Sequence, residues 1–172
     1  MTGSGKTEAA ILLAARLMAG GSASGLFFAL PTMATANAMY DRLAQSYERL
    51  FDDAARPSLV LGHGKRTLNA RFTDSIFDTG KADEGYPEGG GATCAAWIAD
   101  DRRKVFLAEI GIGTIDQALL GVLPSRHQVL RLWGLSDRVL IIDEAHAYDA
   151  YMAQEMERQL EFQAARDMPA SL

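Results

Sequence analysis

Residues 138–149 read RVLIIDEAHAYD, an apolar run that stops at two adjacent carboxylates, Asp143 and Glu144. A strand without polar alternation needs cover on both faces, the situation in a parallel sheet flanked by helices. Three further runs have the same character: GLFFAL (25–30), SLVLG (58–62) and KVFLAEI (104–110). Helical spacing fills the intervals. From Lys6 to about Ala19, the residues Ile11, Leu12, Ala15 and Met18 share a face. From Thr35 to Phe51, Ala36, Met39, Tyr40, Leu43, Tyr47 and Leu50 recur with Asp41, Arg42, Gln45 and Glu48 largely opposite. A polar helix is expected after Asp149, ending before Pro169. Buried strands alternating with amphipathic helices predict an α/β fold with a doubly wound, mainly parallel sheet.

Ligands of open α/β sheets bind at the carboxyl edge, where Asp143 and Glu144 would stand. Adjacent strand residues face opposite sides, so the two acids suit different tasks. Asp143 would hold Mg²⁺, usually through water, and Glu144 would orient and deprotonate an attacking water. A solvated acidic strand end is the plainer alternative. The N-terminus decides between them. Thr2, Gly3, Ser4, Gly5, Lys6 and Thr7 (TGSGKT) open a helix directly. Small residues let successive backbone N–H groups close around phosphate oxygens. Lys6 would reach the β- and γ-phosphates, and the Thr7 hydroxyl would ligate Mg²⁺. Each motif supplies half of one site for ATP with Mg²⁺, in the expected order along the chain.

Composition sets the remaining bounds. With 172 residues, 48% hydrophobic and 23% charged, the chain suits one globular domain and excludes a disordered, collagen-like or coiled-coil protein. A net charge of −5 argues against holding nucleic acid by bulk positive charge. The lone Cys94 forms no internal disulfide and favours a reducing, cytoplasmic compartment. Glu8 and Arg16 interrupt the N-terminal run that imitates a secretory signal, and no apolar stretch approaches the roughly 20 residues of a membrane span. Residues 78–93, rich in Gly and acidic side chains, are expected to form a mobile insertion.

The form D-E-A-H narrows the class to superfamily 2 nucleic-acid helicases and translocases; neither L-S-G-G-Q nor N-K-x-D is present. The segments ALPTMATANAMYDRL (29–43), LVLGHG (59–64), KVFLAEIGIGTIDQALLGVLP (104–124) and LIIDEAHAYDAYM (140–152) sharpen this further. Together they resemble the type I CRISPR-associated helicase–nuclease over nearly the whole chain. The resemblance implies an ATP-driven motor, part of a first RecA-like lobe, moving single-stranded DNA toward an HD nuclease domain. A second RecA-like lobe and a Cascade-type surveillance complex are implied as partners, in a prokaryotic cytoplasm. His146 would couple the nucleotide site to the second lobe. Pro31, Thr32, Thr35 and Asn37 would contact the DNA backbone, and Thr114, opening the T-I-D-Q helix, would do the same. For Thr32 and Thr35 helix capping is an equal and compatible reading.

Against the family pattern the chain is expected to be truncated at both ends, with low stability and negligible ATP hydrolysis when isolated. Two other readings stay open: another superfamily 2 motor, such as an RNA helicase or restriction-complex translocase, and a lobe that binds without turnover. Other residues attract structural readings. His63 and Gly64 close a strand at a turn, and His127, Arg126 and Arg131 suit a solvated helix face. Met33, Met39, Met152 and Met156 fit helix packing.

Overall fold

A computed structural model describes residues 5–50, 57–65, 69–77, 92, 94–100, 102–145 and 148–166. The first element, α1 (Lys6–Ala19), starts behind Gly5, whose φ of 156° and ψ of −26° are open to glycine and strained for other residues. It ends in a Schellman turn. Gly21, at φ 72°, donates to the Met18 carbonyl and Ser22 donates to that of Leu17. The chain reverses there into β1 (Gly25–Leu30), so α1 runs back along the sheet it covers, packing on β1 and β6.

The remaining elements are α2 (Met33–Leu50), β2 (Leu59–Gly62), α3 (Ala70–Asp74), β3 (Ile76–Phe77), β4 (Cys94–Ala95) and α4 (Ala96–Ala99). A 3₁₀ segment (Arg102–Leu107), β5 (Ile110–Thr114), α5 (Ile115–Leu119), α6 (Gln128–Ser136), β6 (Arg138–Ile142) and α7 (Ala150–Arg166) follow. Four strands form one parallel sheet in the order β2-β5-β1-β6. β3 and β4 make a separate parallel pair. The α/β class and the parallel sheet expected from the sequence are therefore present, with three of its four strands where the apolar runs put them.

The fourth run is displaced. KVFLAEI was expected as a strand, but its first half is 3₁₀ and the strand is IGIGT, residues 110–114. An apolar run announces burial without specifying period, and both Val105 and Phe106 are fully buried. The glycines of IGIGT explain the arrangement. A Cβ on Gly111 would stand 2.8 Å from the Phe27 ring and 2.9 Å from the Val105 carbonyl oxygen. On Gly62 it would lie 2.7 Å from the Val105 side chain. Without those carbons the 3₁₀ segment presses directly on the sheet, and the Phe27 and Phe106 rings meet in a tilted contact, 4.7 Å between centroids.

The second helix starts at Met33, two residues before the expected Thr35, because Thr32 caps it. Met39 and Met156 are buried as expected, but Met33 is 40% exposed and packs little. Arg131 reverses its expectation of a solvated face. It is buried, donating from Nη1 to the Gln117 carbonyl at 3.1 Å, with its guanidinium 5.6 Å from the Phe106 ring centroid. Apart from Ala92, the expected insertion at 78–93 lies outside the described residues. Among the described residues, no helix is long and apolar enough to cross a membrane.

Candidate nucleotide site and sheet-edge groove

The register of the sheet aligns every candidate. Leu30 pairs with Thr114 across β1 and β5, and Gly62 pairs with Gly113 across β5 and β2. The Asp143 amide donates to the Ala29 carbonyl at 3.1 Å, one step past the β1–β6 ladder. His63, Thr114, Pro31 with Thr32, and Asp143 thus follow one another along a single carboxyl edge. The N-terminus of α1 points to the same edge, since α1 runs antiparallel to β1. About 21 Å of helix spans a six-residue strand of about 20 Å.

At the acidic end, the strand alternation expected for the two carboxylates does not continue. β6 ends at Ile142, and Glu144 takes φ 53°, a left-handed conformation rare for a non-glycine residue. The turn still separates the acids. Asp143 Oδ1 accepts the Glu144 amide at 3.0 Å, its own carbonyl accepts the Tyr148 hydroxyl at 3.1 Å, and Glu144 is exposed. The Tyr148 hydroxyl is pushed up to about 12 by burial, with the carboxylates of Asp143 and Glu144 adding to the shift. It remains a donor at neutral pH. Thr2, Gly3, Ser4 and His146 lie outside the described residues; Gly5, Lys6 and Thr7 are described, with Lys6 exposed at the first turn of α1.

A nucleotide with Mg²⁺ fits what is described. Among the described residues nothing lies within 4 Å of a would-be Cβ on Gly5, an open approach for a phosphate to the helix start. Thr7 and Asp143 offer a hydroxyl and a carboxylate, hard oxygen donors of the kind Mg²⁺ prefers. Glu8, also in the first turn, pairs with Arg42 of α2 and ties the two helices together.

The candidate nucleic-acid contacts divide. Thr32 and Thr35 form a reciprocal cap: the Thr35 amide donates to Thr32 Oγ1 at 3.2 Å and the Thr32 amide to Thr35 Oγ1 at 3.1 Å. Both side chains remain exposed, so capping leaves a face for solvent. Pro31 sits half-buried between β1 and this cap. Thr114 precedes α5 with only 7% exposure and no side-chain cap bond. Asn37 turns inward, its Oδ1 accepting from His63 Nε2 at 2.9 Å and Asn69 Nδ2 at 3.4 Å.

His63 is the residue the sequence undersold. It is 1% exposed, and its Nδ1 accepts the Lys65 amide at 3.2 Å, which puts the ring proton on Nε2 for Asn37. Asn69 Oδ1 accepts the Phe72 amide at 3.0 Å, so its Nδ2 faces Asn37 and Asp41. Two independent donors therefore fix the Asn37 amide with Oδ1 toward His63 and Asn69. A histidine at a strand end beside a turn gives no sequence signal of this. Its partner Asn37 lies on another element.

The parallel sheet of order β2-β5-β1-β6, with the glycine-started helix packed on it, is the architecture of a RecA-like lobe. No family model matches the chain. It is 45% identical over 149 residues, 87% of its length, to the CRISPR-associated endonuclease/helicase Cas3 of Thermus thermophilus. It is 44% identical over 95% of its length to the Cas3 of Escherichia coli strain K12. The chain spans 16% and 18% of those two relatives. A crystal structure of T. fusca Cas3 matches with a TM-score of 0.80 and 37% identity, over 98% of this chain and 18% of that one. The ADP, AMPPNP and ATP structures of T. fusca Cas3 match with TM-scores of 0.77, 0.78 and 0.75. A CRISPR RNA-guided surveillance complex in a pre-nicking state matches at 0.58, with 32% identity, over 97% of this chain and 14% of that one. The chain is homologous to one segment of the Cas3 helicase–nucleases, and its fold is that of their RecA-like lobe.

Proposed function

We propose that the chain is part of the first RecA-like lobe of a CRISPR-linked DNA helicase, where it binds ATP and contributes the acid pair that hydrolyses it. The observation that carries this is the shared sheet edge. The start of α1, with Gly5, Lys6 and Thr7, faces the end that bears Asp143 and Glu144. The likeness to Cas3 structures determined with ADP, AMPPNP and ATP supports the same reading.

Lys6 binds the terminal phosphates as a point charge, and the α1 amides receive phosphate oxygens. Thr7 and Asp143 hold Mg²⁺, which when bound neutralises the charge that develops on the phosphates. Glu144, exposed at the left-handed turn, orients the attacking water and takes its proton. Along the same edge, the exposed side chains of Thr32 and Thr35, with Asn37, Pro31 and Thr114, line the path of single-stranded DNA. His146, by its place in D-E-A-H, passes the nucleotide state to a second lobe. The likeness to a surveillance-complex component supports a Cascade-type partner, and a separate HD nuclease domain is what the sequence resemblance implies.

The test is ATP hydrolysis with and without single-stranded DNA by the complete helicase to which the chain is assigned, comparing wild type with Lys6→Ala. Loss of one charge-assisted phosphate contact should weaken nucleotide binding by roughly 10- to 100-fold. DNA-stimulated turnover should be lost with it. Unchanged affinity for ATP in Lys6→Ala would contradict the site.

A further inference from the structure

The peptide between Asp143 and Glu144 is held at both of its polar groups, and the peptide before it is paired with β1. The Asp143 amide donates to the Ala29 carbonyl of β1 at 3.1 Å, and the Glu144 amide donates to Asp143 Oδ1 at 3.0 Å. The third hold comes from outside the strand: the Tyr148 hydroxyl donates to the Asp143 carbonyl at 3.1 Å. The residue just beyond this peptide, Glu144, sits at φ 53°. A side-chain-bearing residue stays in that region only where its surroundings over-determine it.

Tyr148 is itself well anchored. Its ring packs against the core cluster. The next residue, Asp149, caps α7, accepting the Met152 amide on Oδ1 at 2.8 Å and the Ala153 amide on its carbonyl at 2.9 Å. α7 runs for 17 residues and packs on α5, the helix that Thr114 opens. The hydroxyl is therefore mounted on a rigid element and reaches back five positions to the acid pair.

We propose that the Tyr148 hydroxyl is a latch that fixes the Asp143–Glu144 peptide, making Tyr148 a positioning residue for ATP hydrolysis. This rests on the nucleotide-site reading above and adds a residue to it. Without the hydroxyl, the Asp143 carbonyl is free to rotate. The Glu144 carboxylate then leaves the left-handed turn that aims it. Binding of nucleotide, which depends on the start of α1, is left intact.

Tyr148→Phe removes one oxygen and keeps the ring in the core. Three readouts apply. Amide exchange of Asp143 and Glu144 in the protein without nucleotide should accelerate by roughly fivefold, the value of one net hydrogen bond. In the complete helicase to which the chain is assigned, DNA-stimulated kcat should fall by roughly tenfold, with KM for ATP and the Kd of a fluorescent ATP analogue within about twofold of wild type. Unchanged exchange and unchanged kcat would overturn the latch. So would a variant that lost ATP affinity, kcat and thermal stability together, because that marks a purely structural ring. Glu144→Gln run in parallel separates the two readings. If that variant hydrolyses ATP normally, the assignment of Glu144 as the base fails, while the exchange rates in Tyr148→Phe still decide the latch.

Discussion

At the scale of single residues, the edge of the sheet is organised by buried hydrogen bonds with one consistent direction. His63, Asn37, Asn69 and Asp41 form a chain in which each amide orientation follows from its neighbour. Truncating His63 leaves the Asn37 acceptor short of its nearest donor and opens a void beneath the end of β2. His63→Ala should therefore cost about 2–4 kcal/mol, read by chemical denaturation. His63→Gln, which keeps an N–H donor, should recover part of that loss. A stability within about 0.5 kcal/mol of wild type for His63→Ala would show the network to be solvated rather than structural. Sequence spacing exposed the residues we propose act on ligands, Lys6, Thr7, Asp143 and Glu144, because each stands in a contiguous motif. It could not expose His63 or Arg131, whose partners come from distant elements. Arg131 reads as surface by charge alone, yet it is buried over Phe106.

At the scale of elements, two features carry testable consequences. The first is the cap of α2. Thr32 serves both as the N-cap and, in our proposal, as a DNA contact, and one substitution separates the roles. Thr32→Asp caps as well as threonine but sets a negative charge beside a phosphate. Its melting temperature should match wild type while its affinity for single-stranded DNA falls, with a shallower dependence on salt. Unaltered DNA affinity would leave Thr32 as a cap only. The second feature is the fit of α6 against the 3₁₀ segment. A Cβ on Gly134 would meet the Phe106 Cβ at 2.6 Å and its carbonyl oxygen at 2.8 Å, one of them backbone. Gly134→Ala should destabilise by about 1–3 kcal/mol despite the better helix propensity of alanine. This is where the sequence was least legible. β1, β2 and β6 announced themselves as apolar runs bounded by polar residues. The true third neighbour, IGIGT, was masked by two glycines that weaken a strand pattern and by the buried Val105 and Phe106 just before it. The two-residue strands β3 and β4 are too short to give any periodic signal.

At the scale of the whole molecule, pH stability follows from tyrosines. Tyr40 is fully buried against Phe72 and bonds Ser75 at 3.0 Å; burial, chiefly, pushes its hydroxyl from 10.0 up to about 12. Tyr148 is raised to about 12 as well, again first by burial. A group whose folded-state value lies above its unfolded one stabilises fully below the unfolded value and loses that contribution as pH climbs toward the folded one. Tyrosine ionisation should thus leave stability unaffected up to about pH 10 and erode it between about 10 and 12. Tyr40→Phe should flatten that decline. The larger arrangement was readable because parallel sheets confine ligand chemistry to one edge, so motifs far apart in sequence had one place to meet. The most direct test of that arrangement is single-turnover ATP hydrolysis by the complete helicase carrying Glu144→Gln, with nucleotide affinity measured on the same sample. The account predicts a rate at least about 100-fold below wild type with ATP affinity preserved. A variant that still hydrolyses ATP at the wild-type rate would contradict it.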